Sequence, residues 1–165
     1  MTTKNSSLVT NFEADPMVMS PAHQLNGVVR TIQGTVALAT SDLNASDIVM
    51  LAPIPTNASV LSIKLFNDDL DSGTTNTCDV GLYTTAGVAV DDDCYASAIT
   101  DLRGAVTTGT EVAFEARDIN KCGQRVFEDA GQSTDPSSYY YIALTFDAAG
   151  NTAGDLSFQI QFVIN

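Results

Sequence analysis

Three aspartates crowd into four positions of the stretch FNDDLDSGTTNTCDVG (residues 66–81): Asp68, Asp69 and Asp71. Carboxylates that dense could hold a calcium ion, work as an acid/base pair, or keep a surface turn in water. Calcium takes about six to eight oxygens, and loops that bind it space acids at every second residue. Asn67, Asp69 and Asp71 have that spacing, so Asp69 and Asp71 are the candidate metal ligands. Against them, Gly73 comes one place late and no glutamate closes the loop. Asp91, Asp92 and Asp93 form a second acidic cluster that could add ligands from another connection. The same residue types are those an exposed turn prefers, and the turn is the favoured reading.

Other chemistry has little to work with. A glycosidase needs only two carboxylates, but its cleft is usually lined with aromatics. This chain has no Trp and 7% aromatic residues. Its one histidine, His23, lies in a proline-bearing segment that gives a general base no rigid support. No phosphate-binding loop, dinucleotide fingerprint or HExxH motif occurs. No catalytic residue, no cofactor and no enzymatic activity are expected.

The totals narrow the partners. A chain of 165 residues fits one domain with a tail, and 44% hydrophobic residues suffice for a core. Seven Lys+Arg against twenty Asp+Glu give a net charge of −13. Nucleic acid is a poor partner for such a surface, as is an anionic membrane. No apolar run approaches the ~20 residues of a membrane span. The N-terminal MTTKNSSLVTNFEADP lacks the apolar core of a signal peptide, so the expectation is a cytoplasmic product. Cys78, Cys94 and Cys122 have neither disulfide nor zinc spacing, and three reduced, mostly buried thiols are expected.

Period-two alternation supplies the scaffold. In DLSFQIQFVIN, Leu156, Phe158, Ile160, Phe162 and Ile164 alternate with mostly polar residues, predicting a strand with one buried face. YYYIALTFD repeats the pattern with Tyr140, Ile142, Leu144 and Phe146, and the Gly- and Asn-bearing DAAGNTAGD suggests a hairpin between the two. SVLSIKLFN (inward Leu61, Ile63, Leu65) and TCDVGLYTT (inward Cys78, Val80, Leu82) predict two more strands. VVRTIQGTVALA and DIVMLAP predict another two, with Pro53 and Pro55 closing the second. RDINKCGQRVFEDAG reads as a short helix through Ile119, Cys122, Val126 and Ala130, capped by Asp118 and ended by Gly131. CYASAITDLR is a weaker helical prediction. The fold class expected is all-β: an antiparallel, jelly-roll-like β-sandwich over residues 28–165, with one or two short helices in its connections.

Residues 1–27 form a second region, an extended N-terminal arm with no alternation. Phe12, Pro16, Met17, Val18, Met19 and Pro21 make it locally apolar, and its charges nearly cancel. A neighbouring subunit is the natural contact for such an arm. On the body, Tyr139 and Tyr141 on the outward side of their strand could stack on sugars.

Two long blocks carry a resemblance. ALATSDLNASDIVMLAPIPTNASVLSIKLFNDDLDSGTTNTCDVGLYTTAGVAVDDD and INKCGQRVFEDAGQSTDPSSYYYIALTFDAAGNTAGDLSFQIQFVIN resemble the decoration (cement, auxiliary) proteins of tailed-bacteriophage capsids. The resemblance implies a virion structural protein on the outer capsid surface, assembled in the host cytoplasm. It would bridge subunits of the phage major capsid protein and stabilise the expanded shell against internal DNA pressure. It implies no catalytic residues. A homo-oligomer, trimer or dimer, is expected by analogy. The alternative is a virion-surface adhesin domain binding host glycans.

Overall fold

The structure is a computed structural model and describes residues 4–21, 24–25 and 27–164. His23 lies outside the described residues.

Eight strands run in chain order: β1 (Val29–Leu38), β2 (Ile48–Pro55), β3 (Ala58–Asn67), β4 (Thr77–Tyr83), β5 (Ala89–Ile99), β6 (Val106–Glu111), β7 (Tyr139–Ala148) and β8 (Gly154–Ile164). They form two four-stranded sheets, β1-β8-β3-β6 (sheet A) and β2-β7-β4-β5 (sheet B), with every recorded pairing antiparallel. Chain neighbours share a sheet at one place, β4–β5; every other connection crosses from one sheet to the other. This is the jelly-roll order, two Greek keys wrapped into a sandwich.

The alternation predicted for the last two strands holds. Tyr140, Ile142, Leu144 and Phe146 are buried on β7, and Leu156, Phe158, Ile160 and Phe162 on β8. Each such side chain contributes roughly 1.5–3 kcal/mol relative to exposure. Their pairing is a correction: β7 and β8 lie in different sheets and form no hairpin. The Gly150 N–H donates to the Leu43 carbonyl, and the Asn151 and Thr152 N–H groups to that of Leu70. These bonds hold the connection across the end of the sandwich, where a tight turn would have kept both strands in one sheet.

Other departures have equally local causes. Leu61 is exposed, because β3 shifts register against β8 between Val60 and Ser62 and turns that side chain outward. Pro53 lies within β2 opposite Tyr141 and does not close it. β2 is an edge strand, which tolerates a missing N–H. The weaker helix is absent: CYASAI belongs to β5, and a 3-10 turn, Asp101–Arg103, follows. Asp91, Asp92 and Asp93 are therefore strand residues, not a connection. The longer predicted helix divides into a 3-10 turn, Ile119–Lys121, and the four-residue α2 (Val126–Asp129). Gly123, at φ +89°, separates them. Asp118 caps the first piece and Gly131 follows the second, but Ile119 and Cys122 are exposed. The thiols accordingly divide into buried Cys78, half-buried Cys94 and exposed Cys122.

The arm is not extended throughout. Helix α1 (Ser7–Glu13) occupies its first half and contributes no buried residue.

Candidate functional site

Helix α1 begins at Ser6, whose hydroxyl accepts the Val9 N–H at 3.3 Å, and ends at Ala14. A cis Asp15–Pro16 bond turns the chain, and the Val18 N–H returns to the Asn11 carbonyl at 3.0 Å. This fold-back places Phe12, Met17, Val18 and Met19 around one apolar cleft of about 370 Å³, together with Leu8, Ser20 and Leu25. Phe12 and Met19 are 70% and 86% exposed. The four predicted apolar residues thus converge. Pro16 sits in the turn, and Pro21 faces a separate hollow beside Gln24, Cys122 and Arg125. Leu8 was missed, although Leu8 and Phe12 are four apart, the spacing of one helical face.

The acidic stretch that opened the sequence reading is a built turn. Asp71 is 1% exposed, not solvated, and its carboxylate accepts N–H groups from Gly73 at 3.1 Å, Thr75 at 3.0 Å and Asn76 at 2.9 Å. The Asn76 N–H foremost holds its pKa below the usual carboxylate range. Asp69 accepts the Asp71 N–H at 3.1 Å, and Asp68 accepts that of Asp155 at 2.9 Å. These oxygens are occupied by the backbone, which gives the pattern its physical reason. Among the described residues no group of three or more His, Cys, Asp or Glu side chains could hold a metal ion.

Sheet B carries a second acidic set on its outer side. Asp79 on β4 and Asp147 on β7 are within hydrogen-bond reach, and Asp91 and Asp93 pair similarly on β5. Desolvation and then the Asp147 carboxyl push Asp79 up to about 6, although the Ala98 N–H, donated at 2.7 Å, opposes this. β5 crosses β4 so closely that a Cβ on Gly81 would lie 2.2 Å from the Asp91 carbonyl oxygen. Farther along the sheet, Tyr139 is 56% exposed, and Tyr141 stands between Pro53 and Tyr83 in register.

The same irregular strand reaches into the core. The Tyr95 hydroxyl donates to Asp129 at 3.2 Å, and Asp129 pairs with Arg117 at 2.9 Å. The guanidinium also donates to the Val60 and Gln124 carbonyls and lies 5.6 Å and 5.1 Å from the Tyr95 and Phe114 ring centres. Burial pushes Asp129 up to about 6 despite Arg117. This ion pair closes the loop over residues 112–130 and faces core, not cleft. Burial likewise pushes the Cys78 thiol well up, consistent with a packing role.

No protein-family sequence model matches this chain, and no curated protein does. Among solved structures, the fold is similar to a chain of the cyanophage Pam1 capsid asymmetric unit. The TM-score is 0.57 at 17% identity, with 100% of each chain covered. It is also similar to a chain of the capsid of Ralstonia phage GP4, with TM-score 0.61 at 19% identity. That match covers 89% of this chain and 91% of the other. At these identities the likeness shows a shared fold.

Proposed function

We propose that this chain is a virion structural protein that decorates the outer surface of a tailed-phage capsid. The observation that carries the reading is a jelly roll similar along its whole length to a chain within a phage capsid asymmetric unit. The exposed apolar arm supports it. The arm is the anchoring device: Phe12, Met17, Val18 and Met19 take up an apolar side chain of the major capsid protein. Binding orders and covers a patch that otherwise stands in water. Repetition over a lattice of identical sites makes modest single contacts sufficient. By bridging neighbouring subunits, the protein adds contacts that exist in the expanded shell and oppose its rupture. Its acidic body is repelled by packaged DNA and tolerated on the outer surface.

Deletion of residues 2–24, assayed by occupancy on purified capsids, tests the anchor. The expected result is a body with unchanged melting temperature and at least tenfold lower occupancy. Unchanged occupancy would overturn the role of the arm.

A further inference from the structure

The outer edges of the two sheets are not equally protected. An edge strand offers a row of unpaired backbone N–H and C=O groups, and proteins blunt it with prolines, bulges, charges or brevity. β2 carries Pro53, Pro55 and a register shift. β5 shifts register three times against β4. β6 is six residues long and contains Gly109 at φ +80°. β1 has none of these devices. It keeps register through ten pairs with β8, holds no proline, and has Arg30 as its one charge. Among the described residues its recorded pairings are with β8 alone, so its far edge is open.

The surroundings of that edge indicate what would add to it. Ile32 and Val36 lie on the core side of β1 but are only half-buried. At the end of β1, Val36 shares a hollow of about 490 Å³ with Ile48, Val49 and Met50 of β2. Ile48 and Met50 are 40% and 37% exposed. Asp42 and Asp47 line the same hollow. Each is held by a turn: Asp42 accepts the Ala39 N–H and Asp47 the Asn44 N–H, both at 2.9 Å. Residues 31–63 contain no Lys or Arg to offset these two carboxylates. Arg30 stands at the opposite end of the strand.

We propose that the free edge of β1 takes an extended segment of another protein as a fifth strand of sheet A. The segment is apolar at alternate positions and basic at the end that meets Asp42 and Asp47. Backbone bonds along the edge supply affinity, and the hollow supplies selectivity. Every recorded pairing in both sheets is antiparallel, so the segment enters beside Leu38 and leaves beside Arg30. Its alternate side chains cover Ile32 and Val36, and its basic first residues occupy the hollow. Charge selects this occupant over a second copy. A second body of net charge −13 is repelled, whereas a short basic segment is attracted. The chain's own arm is engaged elsewhere, in α1 and its return to Asn11.

Two synthetic peptides of alternating Thr and Val, about ten residues long to match β1, test the proposal by fluorescence anisotropy. One opens with a pair of lysines and the other with a pair of glutamates. Only the full chain is needed, so the outcome is independent of the virion reading. The lysine peptide should bind saturably and at least tenfold tighter than the glutamate peptide. Asp42→Asn with Asp47→Asn keeps the turn acceptors and should remove that preference. Amide-resolved hydrogen exchange should show alternate β1 amides slowed by the lysine peptide, with β2, β5 and β6 unchanged. N-methylating every second residue of the peptide should abolish binding in one register and spare it in the other, because an added strand bonds through one edge. No saturable binding up to ~1 mM, an unchanged preference in the double variant, equal binding of both N-methylated peptides, or protection on another edge strand would overturn the proposal. Protection of β1 on raising the concentration of the chain alone would assign the edge to a second copy and equally overturn it.

Discussion

The β1–β8 and β4–β5 ladders solve the same pairing problem differently. β1 and β8 keep register through ten consecutive pairs, from Val29↔Val163 to Leu38↔Gly154. β4 and β5 shift register three times among four recorded pairs. The first lines up Thr31, Gln33 and Thr35 with Gln161, Gln159 and Ser157 on its outer side, with Asp155 opposite Ala37 at one end. The second gives a bent strand that sends Tyr95 into the core and turns Asp91 and Asp93 toward one another. Regularity leaves a surface available for contact, whereas irregularity spends side chains on internal bonds. The acidic side is therefore tied to the stability of the fold through β5.

The largest break in that contrast comes from the ion pair beneath β5. Asp129→Ala leaves Arg117 buried without its carboxylate and should cost about 3–5 kcal/mol in urea unfolding. Next come the two glycines where strands approach closely. Gly81→Ala drives a methyl into the backbone of Asp91 and Asp92 and should cost about 3 kcal/mol. Gly34→Ala on sheet A meets the end of the Phe158 ring at 2.9 Å, which can tilt away, and should cost about 1 kcal/mol. Equal losses would erase the distinction between the two ladders.

The smallest effect carries a pH signature. Asp79 has a folded pKa raised to about 6 from an ordinary value near 3.8, so the native state binds its proton more tightly than the unfolded chain. That contribution is fully present below pH ~4 and is lost as pH rises through ~6. Asp79→Asn keeps the acceptor for the Ala98 N–H and removes the titration. It should therefore stabilise the protein by about 1 kcal/mol at pH 7, after solvent screening, and change little at pH 4. Thermal melts at the two pH values measure this, and an equal shift at both would show that the carboxyl pair does not govern stability.

The strands were legible where one face is buried and the partner regular, as in Leu156 to Phe162 and Tyr140 to Phe146. Alternation reports a buried face but not which sheet owns it, so the β7–β8 connection looked like a turn. Only its backbone bonds to Leu43 and Leu70 reveal a crossing. β5 read as helix because its bulges bring Tyr95 and Ala96 inward together, breaking period two. β6, VTTGTE, was not found, since it is short and holds no buried residue. In the arm, hydrophobicity identified Phe12, Met17, Val18 and Met19, while the fold-back that gathers them depends on bonds between α1 and the residues after it. Nothing in the dense carboxylates at residues 68–71 singled out Asp71 as the buried one, which takes three backbone N–H groups.

The central claim is that this protein belongs to the outside of a phage shell. Antibodies against the folded body, applied to intact DNA-filled heads and imaged by electron microscopy, test it most directly. The account predicts regularly spaced labelling on unbroken particles, lost when residues 2–24 are removed. Labelling confined to ruptured particles, or to protein that sediments apart from them, would contradict it.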